Sequence, residues 1–228
     1  MKVRERSQKI NTCIFDLDGV LVDTASYHFL AWKRLANSLG FDFSESDNER
    51  LKGVNRMSSL KMILDWAGLS KNENERSLLA EQKNDWYKTM IRTMNSSNLL
   101  PGTEAFLEEL ACSDYHLAVG SASKNAEAIL QKTGIRHYFE VVVDGNMVSK
   151  SKPNPLVFLK AAELLFVDPK ACAVFEDAQA GVEAALRAGM KVIGVAESAN
   201  LLGAHGYVTG LSEMNIERLE SIINGTPL

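Results

Sequence analysis

Two carboxylates, Asp16 and Asp18, stand two residues apart in Phe15-Asp16-Leu17-Asp18-Gly19, directly after the apolar run Thr12-Cys13-Ile14-Phe15. An apolar strand that delivers acids at its C-terminal end places them where open α/β sheets bind ligands. An isolated Asp-x-Asp is also ordinary turn chemistry, so the pair acquires meaning only with partners. Glu176-Asp177 supplies a second acidic pair, at the end of the apolar run 171–175. If the two strands are neighbours, three or four carboxylates converge, and each like-charge pair at about 4 Å costs about 4 kcal/mol at an effective dielectric of about 20. Such a cluster demands a cation. Hard oxygen ligands that leave room for water and phosphate oxygens suit Mg²⁺.

Two further positions supply what a phosphoryl group needs. Ser121 follows the run His116 to Gly120 and opens Ser121-Ala122-Ser123-Lys124-Asn125, where the pattern predicts the start of a helix. A hydroxyl beside free N–H groups at a helix N-terminus binds anions. Lys152, in Ser151-Lys152-Pro153, brings a compact positive charge. Taken singly, Ser121 also reads as a helix cap and Lys152 as a solvated loop lysine. Together they form a set of nucleophile, hydroxyl, lysine and acid pair, each expected at a strand end, and such a set suits phosphoryl transfer to a carboxylate.

These residues need a scaffold that gathers strand ends, and the apolar pattern supplies one. Unbroken apolar runs recur at 12–15, 116–120, 141–143, 171–175 and 191–195. Strands apolar on both faces indicate a parallel sheet covered on both sides. Helix-spaced apolar residues fill 103–110, 124–133, 156–165 and 179–188. The second and fourth of these end at Gly134 and Gly189, placed as C′ glycines. The third opens at Asn154-Pro155, which reads as an N-cap followed by proline at the first helical position. The expectation is an α/β, doubly wound, mainly parallel sheet, a Rossmann-like core. Between 25 and 98 only helical periodicity is present, in 27–40, 58–68 and 75–94. The chain therefore divides into a core of 1–24 and 99–228 and an inserted all-helical cap domain of 25–98.

Composition narrows the partners. With 228 residues, 46% hydrophobic, a core of useful size is available. A formal net charge of -4 without a long basic run speaks against nucleic acid and membrane surfaces. An anionic substrate must be held by a few placed cations. No apolar stretch approaches the roughly 20 residues of a membrane span, and the first nine residues carry no cleavage pattern; the expectation is a cytoplasmic protein, monomeric by default. Cys13, Cys112 and Cys172 form no CxxC pair, and Cys13 and Cys172 sit in strand runs as small buried hydrophobes.

Asp16-Leu17-Asp18-Gly19-Val20, Ser121, Lys152 and Glu176-Asp177 together resemble, in order and spacing across nearly the whole chain, the four motifs of the haloacid dehalogenase-like superfamily. The helical insert after the first motif is similar to that superfamily's small cap. The resemblance implies that Asp16 attacks phosphorus and becomes an aspartyl phosphate. It implies that Asp18 is the general acid/base and lends its backbone carbonyl to Mg²⁺, with Asp16, Glu176 and Asp177 completing the metal site. Ser121, with Ala122 beside it, and Lys152 would hold the transferring phosphoryl group.

Most of that superfamily hydrolyses phosphate esters, but the cap resembles one family within it, the β-phosphoglucomutases. The resemblance lies in Asp23-Thr24-Ala25-Ser26-Tyr27-His28, in Leu51-Lys52-Gly53-Val54-Asn55-Arg56, in Lys83-Asn84-Asp85 and in the core segment 121–125. Asn154-Pro155 departs from the more usual Pro-Asp after the lysine motif. The family implies a small sugar phosphate as partner and β-glucose 1,6-bisphosphate as activator and intermediate, turned over between two orientations. A second phosphate site is then required. Arg56 is its candidate, because a guanidinium fork grips phosphate bidentately; Gly53 and Val54 flank it, and Ser123, Lys124 and Asn125 assist from the core side. His28 and Lys83 would touch sugar hydroxyls or position Asp18, and Thr24 sits at the hinge. Without that resemblance Arg56 and Lys83 read as solvated helix residues. A sugar-phosphate phosphatase and a non-catalytic sensor remain as alternatives, although a sensor needs neither Asp16 nor Asp18.

Overall fold

In the computed structural model, which describes residues 9–196 and 201–226, the apolar runs become one six-stranded sheet. Apart from Lys9, the first nine positions lie outside the described residues. The strands are β1 (Thr12–Phe15), β2 (His116–Gly120), β3 (Val141–Val143), β4 (Cys172–Glu176), β5 (Lys191–Val195) and β6 (Gly206–Val208). Their order is β3-β2-β1-β4-β5-β6 and every pairing is parallel. The expected doubly wound sheet is therefore present. β6 has no counterpart in the sequence reading, since Gly-Tyr-Val is too short to form a recognisable run. β1 is central, with Phe15 in register with Val119 on one side and Phe175 on the other. The acids that follow β1 and the acids that end β4 therefore emerge side by side.

Successive residues of a strand face opposite sides, and each side has its own core. Phe15 stacks on Phe175 with ring centroids 4.6 Å apart, and Phe106 meets Phe15 edge-on at 6.2 Å. Ile14 and Val174 point the other way, among Phe158, Val182 and Val192. Cys13 and Cys172 are buried in these two layers, as expected of small hydrophobes.

The helices are α1 (Ala25–Ser38), α2 (Glu45–Glu49), α3 (Arg56–Trp66), α4 (Glu73–Ile91), α5 (Thr103–Ala111), α6 (Ala126–Thr133), α7 (Leu156–Leu164), α8 (Gln179–Arg187) and α9 (Ile216–Asn224). The insert is helical throughout, with α2 added to the three expected helices. Local chemistry starts these helices. Ser44 with Asp47 and Asn72 with Glu75 form capping boxes for α2 and α4, and Asn55 caps α3. The insert packs around its own apolar cluster of Trp32, Leu35, Phe43, Leu60, Ile63 and Leu64. Its two connections to the sheet run together: Asp23 N–H donates to Asn98 O at 2.9 Å and Leu100 N–H to Leu21 O at 3.0 Å.

Three local expectations need correction. α6 begins at Ala126, so Ser121 sits in the loop after β2 and not at a helix N-terminus. Its own N–H already donates to Val143 O at 2.9 Å. Lys152 lies in the long connection between β3 and α7 and not at a strand end; β3 is too short to carry it there. Pro155, not Asn154, occupies the cap position of α7, although Asn154 Oδ1 still accepts from Leu156 N–H at 3.1 Å. Among the described residues no helix is long and apolar enough to cross a membrane.

Candidate active site

A cleft of about 610 Å³ opens between the helical insert and the C-terminal ends of the strands. Asp16, Asp18, Thr24, His28, Gly53, Val54, Arg56, Lys83, Ser121, Ala122, Ser123, Lys124, Asn125, Lys152 and Asp177 all line it. Glu176, completely buried, lies behind them. The tertiary fold thus brings every residue expected at the site to one place.

At its floor Lys152 Nζ donates to Asp16 Oδ1 at 2.5 Å and also to Glu176 Oε1. Glu176 Oε2 accepts from Ala178 N–H at 3.1 Å, so both its oxygens are engaged. Burial alone would lower the lysine's pKa, but the Asp16 and Glu176 carboxylates reverse this and hold it above the ordinary value. Burial pushes the Asp16 carboxyl well up; Lys152 opposes this, while Glu176, Asp177 and Asp18 add to it. Asp177 is raised to about 7, by burial and then by Glu176. One lysine against three carboxylates leaves an excess of negative charge. Oxygens from Asp16, Glu176 and Asp177 lie within 4.8 Å of one another, and a hard divalent cation fits that set. Gly19 belongs to this geometry: its φ is +86°, and a Cβ there would collide with the Asp177 carboxylate.

Asp18 is held from the hinge and the insert. Thr24, the residue before α1, donates its hydroxyl to Asp18 Oδ1. His28 Nε2 approaches the same oxygen at 3.7 Å, and His28 Nδ1 lies 3.1 Å from Lys83 Nζ. An amine hydrogen bonded to Nδ1 places the imidazole proton on Nε2, facing Asp18. Burial lowers the His28 pKa and Lys83 lowers it further, so the ring is neutral at pH 7. Although burial alone would raise the Asp18 pKa, His28 and Thr24 bring it below the ordinary carboxylate range.

Lys83 is not the solvated helix residue its acidic neighbours suggest. It is 2% exposed and lies over the rings of Trp32 and Tyr87, 4.6 and 4.7 Å from their centroids. Burial, with help from Arg56, lowers its pKa from 10.5 to about 7. The folded chain therefore binds fewer protons than the unfolded one between these values, and stability contributed at Lys83 rises with pH across that window. Lys83→Met should melt above wild type near pH 7, with the difference shrinking towards pH 9.5. Equal differences at both pH values in calorimetric melts would exclude a buried ammonium as the cause.

Ser121 is fully buried, its Oγ accepting from Ser123 N–H at 3.0 Å, and Ser123 Oγ in turn accepts from Asn125 N–H at 3.2 Å. This chain of hydroxyl turns, rather than a helix terminus, shapes the 121–125 loop. On the insert, Gly53 at φ +70° lets its loop run against Ala178, whose Cβ would lie 3.0 Å from an added one. Arg56 is the first residue of α3 and half buried, which lowers its pKa.

A model of the haloacid dehalogenase-like hydrolases matches residues 13–195. The chain belongs to that family. β-Phosphoglucomutase of Bacillus subtilis is 41% identical over 208 residues, 90% of this chain and 92% of that one. A phosphorylated carbohydrates phosphatase of Thermotoga maritima is 32% identical over 82% of this chain and 86% of its own. The crystal structure of a β-phosphoglucomutase from Clostridium difficile superposes with a TM-score of 0.92 at 38% identity, covering 95% of this chain and 98% of that one.

Within this haloacid dehalogenase-like site, several contacts escaped the sequence reading. Tyr87 is buried beside His28, ring centroids 4.3 Å apart, and its hydroxyl has no hydrogen-bond partner among the described residues. In Trp86-Tyr87-Lys88 it reads only as a core aromatic. Asn125 Nδ2 donates to Asn84 Oδ1 at 3.0 Å, and Asn55 Nδ2 to Ser151 Oγ at 2.5 Å. Both bonds join insert to core, and no local pattern marks amide pairs so distant in sequence.

Proposed function

We propose that this enzyme is a β-phosphoglucomutase, converting β-glucose 1-phosphate to glucose 6-phosphate through an aspartyl phosphate on Asp16 and a β-glucose 1,6-bisphosphate intermediate. The observation that carries the reading is one cleft with two cationic poles: Lys152 beside the nucleophile, and Arg56 on the insert. A hydrolase needs the first pole; a bisphosphate that must bind in two orientations needs both. The high identity to the Bacillus enzyme supports the same choice.

In this mechanism a sugar hydroxyl oxygen attacks the phosphorus of the aspartyl phosphate, Asp18 takes its proton, and the bond from phosphorus to Asp16 oxygen breaks. The reverse transfer returns the other phosphate to Asp16, with Asp18 giving its proton back to the leaving oxygen. Lys152, the Ser121 hydroxyl and the Ala122 N–H orient the transferring group, while Arg56 with Lys124 and Asn125 holds the other phosphate. Ser123 shapes that loop, and Gly53 and Val54 carry the insert's side of the cleft. Thr24 and the row His28–Lys83 aim Asp18 at the attacking hydroxyl. Mg²⁺ would be held by Asp16, Asp177, the Asp18 carbonyl and the Glu176 side of the cluster, and when bound it neutralises the phosphoryl oxygens. The insert over the cleft excludes water.

Phosphorus NMR of β-glucose 1-phosphate with Mg²⁺ and trace 1,6-bisphosphate tests the proposal. Glucose 6-phosphate should accumulate, and a chelator should stop it. Free phosphate outpacing glucose 6-phosphate would replace the mutase by a sugar-phosphate phosphatase, the reading favoured by the Thermotoga relative.

Arg56→Ala should lower kcat/KM for phosphorylated sugars at least tenfold, because charge-assisted hydrogen bonds of about 1.5–3 kcal/mol each are lost. Labelling of Asp16 by acetyl phosphate, which has no second phosphate, should be nearly unchanged. If both reactions fall together, Arg56 supports the fold of the insert instead.

A further inference from the structure

Only two side-chain hydrogen bonds among the described residues join the segment 25–98 to the rest of the chain, and one of them falls between two neighbours of the proposed phosphate ligands. Asn55 precedes Arg56; Ser151 precedes Lys152. Asn55 Oδ1 accepts from Ser58 N–H at 2.9 Å, which makes Asn55 the N-cap of α3. That contact fixes which end of the amide is oxygen and turns the NH₂ outward. Asn55 Nδ2 then donates to Ser58 Oγ at 3.0 Å and, across the cleft, to Ser151 Oγ at 2.5 Å.

Ser151 is well placed to steer the lysine. It lies in the connection from β3 to α7, which carries neither strand nor helix. Its carbonyl accepts from Asn154 N–H at 2.9 Å, closing a turn that contains Lys152. A shift of Ser151 therefore moves this turn as a unit, and with it the backbone from which Lys152 reaches Asp16 and Glu176. On the other side, Arg56 is the first residue of α3, so a ligand drawn to its guanidinium also draws the helix start that Asn55 caps.

We propose that Asn55 and Ser151 form a latch that couples occupancy of the phosphate pole on the insert to the placement of Lys152 at the reacting pole. Asn55 and Ser151 are positioning residues: neither touches the phosphoryl group, and each acts through the residue that follows it. The inference rests on the phosphoryl-transfer reading above but not on the identity of the sugar. The latch is closed in this structure, and a ligand carrying a second phosphate holds it closed by fixing the insert against the core. A donor without that phosphate leaves it unused.

The test measures the rate of Asp16 phosphorylation by rapid quench and intact mass, with Mg²⁺ present, from glucose 1,6-bisphosphate and from acetyl phosphate. Asn55→Ser keeps a capping oxygen for α3 but is too short to reach Ser151, and Ser151→Ala removes the acceptor. Each single variant should slow labelling by saturating bisphosphate about three- to tenfold, the range of one neutral hydrogen bond. Arg56 is intact, so KM should change less than the saturating rate. The double variant should be no slower than the slower single, since one bond is lost only once. Acetyl phosphate labelling should match wild type in all three. Effects that multiply in the double variant, a parallel loss with acetyl phosphate, or unchanged labelling by the bisphosphate would each overturn the latch alone. Wild type labelled by neither donor would overturn the phosphoryl-transfer reading and the latch with it. Wild type that takes label from the bisphosphate yet releases phosphate overturns the mutase and leaves the latch open to the same comparison.

Discussion

Asp16→Asn protein incubated with acetyl phosphate and Mg²⁺ should gain no mass, where wild type gains one phosphoryl group, and its turnover of sugar phosphates should fall by several orders of magnitude. An amide has the shape of the carboxylate without its charge, and it is not a competent nucleophile towards phosphorus. The substitution tests chemistry and not folding. Asp16 is buried beside Glu176, Asp177 and Asp18, all of which disfavour its charge, with Lys152 as the opposing cation. Removing one negative charge leaves Lys152 still paired with Glu176, so the variant should melt no lower than the metal-free wild type by more than about 1–2 kcal/mol. Equal labelling of the variant would move the nucleophile elsewhere; among the described residues around the cleft, the one other carboxylate with a lysine within hydrogen-bonding distance is Glu176, which lies behind the cleft wall.

Asp18→Asn should separate the two halves of the reaction. Loss of general acid–base help typically lowers a rate by about 10² to 10⁴, and isomerisation should fall within that range. Labelling by acetyl phosphate should survive, because acetate is a weak base and leaves without a proton donor. Asn can still accept from the Thr24 hydroxyl at Oδ1, so the hinge contact persists and the defect is chemical. The surroundings of Asp18 also set the sign of the pH dependence. Thr24 and His28 hold its pKa below the ordinary carboxylate value, so it stays ionised as a base through mildly acidic pH. If Asp18→Asn isomerises at the wild-type rate, the acid–base assignment fails outright.

Much of this was legible in the order of residues. Apolar runs with β-branched residues become strands because burial on both faces is a local demand, and Asp16 and Glu176 follow or end such runs. Periodicity marked 25–98 as helical because a 3.6-residue repeat can be read without knowing its partner. Asp16, Ser121, Lys152 and the Glu176-Asp177 pair were therefore nameable as a candidate set from type and spacing, while the acid/base role proposed for Asp18 came only from the family resemblance. Segments with weak local signal were not legible: β6 is three residues long and α2 five. α9 escaped the reading although its signal is local, with Ile216, Leu219 and Ile223 at helix spacing between the Asn215 cap and Gly225.

What only the tertiary structure decided are relations between distant residues. Pairing of β1 with both β2 and β4 sets Asp16 beside Ser121 and Glu176, and no local rule orders strands across a sheet. Lys152 reaches Asp16 from a loop 136 residues away in sequence, and Asn55 reaches Ser151 over 96. Lys83 looked like a surface residue because a charged helical position usually is one. Closing α1 over α4 buried it between Trp32, Tyr87 and His28, and burial, not sequence, brought its pKa down towards neutrality. Residue types determine which chemistry is available to this chain; desolvation and long-range proximity, which exist only once it has folded, determine which groups carry charge and which can act together.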